Sequence, residues 1–158
     1  MKTLLTHPWI LGTILGDTDI DPLGRMYCAQ SLRQESYLLC KCHQLQDMGA
    51  LAPNAVVKKR AQIHSGRTYY TIRSKAQFLE LRAYFYSSGT KQLTLGKYMC
   101  AQALAVWFMD DGGRNSARGR GMVLDVAGFC LSSRLLLQQI LESKFELNTT
   151  SAASVTSN

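Results

Sequence analysis

Acidic residues are scarce in this chain, and unevenly so. None occurs between Asp47 and Glu80, and the 158 residues carry 11 acids against 18 lysines and arginines, a net charge of +7. That shortage favours an anionic partner, either nucleic acid or an acidic membrane. Long apolar runs are missing too. No window approaches the roughly 20 residues needed to cross a bilayer, so no membrane role is expected. A signal peptide is not expected either, because the early apolar stretch "HPWILGTILGD" runs into Asp17 instead of a small-residue cleavage site. Cysteine amounts to five residues, an odd number without framework spacing. Cys40, Cys42 and His43 form one close set, but no second ligand pair follows at zinc spacing. Reduced, packed thiols in an intracellular, reducing compartment are the expectation.

What is present begins with a core, since 46% of the residues are hydrophobic. It continues with a repeat. "ILGTILGDT" (Ile10 to Thr18) and "LAVWFMDDG" (Leu104 to Gly112) are apolar helical runs with an aspartate at the eighth position, Asp17 and Asp111. A turn-rich loop follows each, then a strand, "MYCAQS" in the first copy and "MVLDVAGF" in the second. Next comes a helix, with Tyr37, Leu38, Cys42 and Leu45 spaced to share a face in the first copy. In the second copy it is "SSRLLLQQILESKF", with a serine N-cap. Met26 and Met122, like Leu51 and Leu147, keep an offset of 96. Helix, loop, strand and helix, twice over, predict an α+β fold.

The first copy then continues with two strands over Val56 to Arg73 around the turn "HSGR", and a helix "KAQFLELRAYFYSSG" ending at Gly89. The second has no counterpart before Asn158. The expected organisation is a first half at 1–90, a linker at 91–103 and a shortened second half at 104–158.

Alternation places Lys58, Arg60 and Gln62 on one side of the first of those two strands, and Arg67, Tyr69, Thr71 and Arg73 on one side of the second. A two-stranded ribbon with such a face fits a major groove. A merely solvated face would usually mix signs. Arg114, Arg118 and Arg120 form a second basic element beside Asp111.

A carboxylate at a helix C-terminus faces the negative end of the macrodipole, a penalty of roughly 0.3–1 kcal/mol. Two such helices packed together would add mutual repulsion. A hard divalent cation relieves both, Mg²⁺ first and Mn²⁺ as an alternative. Held next to a basic groove, such ions suit phosphodiester hydrolysis. Asp110 and Asp19 are expected to cap or bond to loops. Gly12 and Ala105 are the small residues expected to let the helix backbones approach.

These motifs resemble the two signature helices of the LAGLIDADG homing endonucleases, in the branch whose second motif reads W-F-M-D-D-G-G. The likeness spans most of Ile10 to Leu147. It implies a pseudo-symmetric pair of αββαββα halves whose sheets straddle double-stranded DNA at a long target site. It also implies that Asp17 and Asp111 are metal-binding catalytic acids serving opposite strands. Lys91 in "TKQLTL" is the nearest match to the basic residue that assists in this branch. Such proteins are commonly encoded in group I introns, which points to a bacterial cytoplasm or to a mitochondrion or chloroplast. The rival readings are an RNA-binding splicing cofactor (maturase) acting on intron RNA, and an inactive DNA-binding remnant. Two motifs in one chain imply a monomer, and the shortened second half makes a homodimer the alternative.

Overall fold

A computed structural model describes residues 7–51, 55, 57–61, 68–86, 91–93, 96–115 and 121–150. In chain order the elements are α1 (Pro8–Leu15), β1 (Thr18–Ile20), β2 (Arg25–Ser31), α2 (Glu35–Asp47), β3 (Lys58–Ala61), β4 (Thr68–Ala76), α3 (Leu79–Phe85), α4 (Ala101–Asp111), β5 (Gly112–Arg114), β6 (Met122–Leu124) and α5 (Leu131–Phe145). The first seven run αββαββα and the last four αββα, an α+β fold built on a repeat. Packing divides the chain into two units, Asp17–Ala83 on one hand and Met1–Gly16 with Tyr84–Asn158 on the other. These units do not follow the repeat boundaries, because α1 groups with the second copy.

In the Asp17–Ala83 unit, four antiparallel strands take the order β1-β2-β4-β3. β2 and β4 alternate, so one face buries Met26, Cys28 and Ile72, and α2 covers it with Leu38, Cys42 and Leu45. Polar groups inside are satisfied: the Met26 N–H donates to Ser74 Oγ at 2.8 Å, and Thr18 Oγ1 meets Cys28 Sγ at 3.2 Å. Lys41 is buried on α2, its ammonium 4.9 Å from the Tyr37 ring centroid. The β1–β2 turn is closed by Asp21, whose Oδ1 accepts the Leu23 and Arg25 N–H groups while Oδ2 pairs with the Arg25 guanidinium. Gly24 supplies φ +75° in that turn, pressed against the backbone of Leu79, where a side chain would not fit.

In the other unit, α1 and α4 pack side by side. Pro8 opens α1 at a position where its missing N–H is harmless, and every residue from Trp9 to Leu15 is buried. A Cβ at Gly12 would run into the carbonyl oxygen of Ala103 and stand 2.7 Å from Val106 Cβ. A Cβ at Gly16 would run into the side chain of Asp110. Gly12 with Val106, and Gly16 with Asp110, are counterparts at the same offset of 94 that relates Asp17 to Asp111. Residues meeting their own counterparts mark the axis of a pseudo-twofold helix pair. Beyond α4 come β5 and β6, then Phe129, whose ring packs on Trp107 at 5.5 Å between centroids. α5 ends in a left-handed residue, Glu146 at φ 55°, with the Leu147 N–H returned to the Leu141 carbonyl.

The structure differs from several local expectations. The close helix contact uses Ala103 and Val106, whereas Ala105 is exposed, because two residues along a helix turn about 200° to the far side. The helix expected from Lys75 begins at Leu79, because Lys75 and Ala76 still belong to β4 and Ala76 pairs with Arg25. The strand expected over Met122–Phe129 stops at Leu124, because Asp125 Oδ1 accepts the Ala127 N–H and bends the chain into a turn. The N-cap position of the last helix is held by Cys130, without a side-chain capping bond, instead of a serine, while Ser133 Oγ accepts the Leu93 N–H at 3.0 Å. The stretch expected as a linker, 91–103, includes a 3-10 turn at Gly96–Tyr98 and the start of α4.

Candidate functional site

The site begins at two helix ends. Within one unit the C-terminus of α1 lies against that of α4, through the Gly16–Asp110 contact. Both ends carry the negative pole of a helix, and an acid follows or closes each, Asp17 just past α1 and Asp111 as the last residue of α4. A lysine is aimed at this spot: Lys91 Nζ donates to the Gly16 carbonyl at 2.9 Å and lies 6.0 Å from the Phe129 ring centroid. Its backbone bridges to Phe129, which fixes where the side chain starts.

Each carboxylate is oriented by a neutral N–H donor. Asp17 is exposed, and its Oδ2 accepts from Gln30 Nε2 at 3.1 Å, Gln30 being 4% exposed on β2. Asp111 is half-buried, and its Oδ2 accepts from Trp107 Nε1 at 3.1 Å, Trp107 being fully buried one helical turn earlier. Carboxylate oxygens are hard donors and suit Mg²⁺ or Mn²⁺. Among the described residues no group of three or more His, Cys, Asp or Glu stands ready to hold an ion alone.

The second feature is a basic sheet face. β3 and β4 pair with Lys58 opposite Thr71 and Arg60 opposite Tyr69, and β4 pairs with β2 so that Arg73 opposes Tyr27. Directly opposed residues share a face, so Lys58, Arg60, Tyr69, Thr71 and Arg73 stand together on the side away from α2. Lys58, Arg60 and Arg73 are exposed. Thr71 is buried between its neighbours, its hydroxyl turned to the Lys58 carbonyl. Tyr27 joins the cluster with the Arg73 guanidinium 5.7 Å from its ring. Burial and the neighbouring Tyr69 phenol push the Tyr27 phenol above its usual range, partly offset by the Arg60 charge and the Thr71 hydroxyl. Arg114 is exposed on β5. Gln62, Arg67, Arg118 and Arg120 lie outside the described residues.

Sequence reasoning missed Gln30, Trp107, Tyr27 and the Gly16–Asp110 contact. Two of these left a signal. Trp107 stands four residues before Asp111, which is one helical turn, and Gly16 and Asp110 are counterparts in the repeat.

The signature helices and the mixed α/β architecture agree with the comparison to known proteins. A family model for the LAGLIDADG DNA endonuclease family matches residues 8–157, and the chain belongs to that family. Among its relatives is the cytochrome b mRNA maturase bI2 of Debaryomyces hansenii, 26% identical over 150 residues, which cover 88% of this chain and 56% of that protein. Another is the intron-encoded endonuclease ai4 of Dictyostelium discoideum, 38% identical over 84 residues, which cover 51% of this chain and 49% of that protein. The chain thus spans about half the length of these curated relatives. No helix among the described residues is long and apolar enough to cross a membrane.

Proposed function

We propose that the chain acts as a sequence-specific double-strand DNA endonuclease dependent on a divalent metal, Mg²⁺ with Mn²⁺ as a substitute. The observation that carries this reading is the pair of motif helices packed through repeat counterparts, each leading to an acid held by an N–H donor. Asp17 and Asp111 are the acids proposed to hold metal, one serving each strand. Bound there, the ion would polarise the phosphate and favour a hydroxide nucleophile. Lys91, tied to the Gly16 carbonyl, sets a positive charge at the C-terminus of α1 and is proposed to offset charge that develops on the phosphate. The face of Lys58, Arg60, Tyr69 and Arg73, with Arg114 and the arginines outside the described residues, holds the backbone and base edges. Thr71 supports this face without reading from it. Both acids sit in one chain, so a monomer is proposed, and sedimentation would expose a homodimer. A reducing intracellular compartment is proposed, since the five cysteines have no framework spacing.

A second reading has a specific support, the relative named as an mRNA maturase. On that reading the basic face binds intron RNA and the acids are not needed.

The discriminating experiment incubates purified protein and Mg²⁺ with DNA carrying the uninterrupted host junction of an intron that encodes the chain. The expected result is cutting of both strands, lost by at least about 10³-fold in Asp17→Asn and Asp111→Asn. Folded protein that never cuts, with splicing of the intron RNA intact in both variants, would overturn the endonuclease reading in favour of the maturase.

A further inference from the structure

The two acids occupy equivalent positions in the repeat, yet non-equivalent residues hold them. Trp107 has Thr13 as its counterpart at offset 94, and Gln30 has Val126 as its counterpart at offset 96. Neither threonine nor valine carries a side-chain N–H. The same hydrogen bond, 3.1 Å to Oδ2, is therefore supplied from a helix in one copy and from a strand in the other. A bond that merely followed from the repeated fold would come from repeated residues.

We propose that Trp107 is the positioning residue for Asp111, setting the direction of its carboxylate for metal binding. This rests on the endonuclease reading above. The indole has one N–H, which donates only, on a rigid ring. The ring is locked by full burial and by Phe129, tilted 48° against it. Fixing Oδ2 in this way fixes the carboxylate torsion and presents Asp111 in one orientation. The donor is neutral, so it orients the acid without competing with a cation for its charge. Such outer partners of metal ligands typically contribute 10–100-fold to affinity or activity.

The chain holds two tryptophans, which makes the test specific. In protein labelled with ¹⁵N-tryptophan, the Trp107 indole resonance is expected to move in Asp111→Asn and to stay in place in Asp17→Asn. Titrated Mn²⁺ is expected to broaden it before that of Trp9, which stands at the far end of α1 from Gly16. Calorimetric Mn²⁺ binding is then compared between Asp17→Asn and Asp17→Asn/Trp107→Phe, where only the Asp111 site counts. A 10–100-fold weaker affinity is expected in the double variant. In the single variant Trp107→Phe, nicked DNA is expected to accumulate as one strand is cut more slowly than the other.

Unchanged Mn²⁺ affinity and even cutting of both strands in Trp107→Phe would overturn the positioning role and leave the endonuclease reading intact. An indole resonance that ignores Asp111→Asn would do the same, and needs no tryptophan variant to fold. If Mn²⁺ binds nowhere and broadens neither resonance, the endonuclease reading itself falls, and this role with it.

Discussion

Advanced by 94 residues on its first strand and 96 on its second, the β1–β2 hairpin lands on β5–β6 pair for pair. Thr18–Cys28, Asp19–Tyr27 and Ile20–Met26 become Gly112–Leu124, Gly113–Val123 and Arg114–Met122. Register and even the methionine are kept, although β2 runs on for seven residues where β6 has three. Burial is not. Met26 is fully buried, whereas Met122 is 74% exposed. The first hairpin has β4 along the free edge of β2 and α2 beneath it, while β6 pairs only with β5 among the described residues. Local sequence therefore sets the hairpin, and its neighbours decide whether the apolar side chain is worth anything to stability.

Counterpart positions in the helix pair should show the largest effect. At Gly12 any Cβ meets the Ala103 carbonyl oxygen, a backbone atom that cannot swing away. Gly12→Ala is expected to destabilise by about 3 kcal/mol or more, since overpacking falls here on backbone. Its counterpart Val106 is 5% exposed, and Val106→Ala removes buried methyls for roughly 1–3 kcal/mol. Urea unfolding of both variants checks the pair. A Gly12→Ala protein as stable as the parent would mean that the two helices do not approach so closely.

The methionines come next. Met26→Ala opens a cavity in a closed core and should cost about 2–5 kcal/mol. Met122→Ala at the same repeat position should stay within about 0.5 kcal/mol. Equal losses would break the comparison and mean that the surface around Met122 is covered in solution.

The repeat itself was legible because apolar runs ending in aspartate are a local pattern, and so was the common face of Lys58, Arg60, Tyr69 and Arg73, because strand alternation has a strict period of two. The choice of Ala105 failed for lack of the helix's rotation about its axis. Small size marks a candidate contact, but only the counterpart rule, Gly12 on Val106, says which side faces in. Helix α3 was drawn too long because its first residues have helix-compatible chemistry, and the pairing of Ala76 with Arg25 overrode it. Gln30 and Trp107 were out of reach for a different reason. A hydrogen bond to a carboxylate depends on side-chain torsions and on a neighbouring strand, neither of which a one-dimensional pattern encodes.

The smallest expected effect concerns the caps of the two equivalent helices. Gln34 occupies the N-cap position of α2 and Cys130 that of α5, again 96 apart, and neither side chain makes a capping hydrogen bond. Only the second is titratable, and the Ser132 hydroxyl, with that of Ser133, each 3.2 Å from its sulfur, holds the thiol down at about 7 from an ordinary 9.0. The thiolate is the reactive form, so alkylation of Cys130 by iodoacetamide should reach half its plateau rate near pH 7. Cys40, exposed on α2, is the internal reference, and mass spectrometry after short pulses separates the two. The linkage sign follows from a folded pKa below the unfolded one. The stabilising contribution is present above pH 9, and is lost as pH falls through about 7. Ser132→Ala should move the alkylation midpoint upward and leave the fold unchanged. Should Cys130 react at pH 7 no faster than Cys40, the serine contacts do not hold a thiolate.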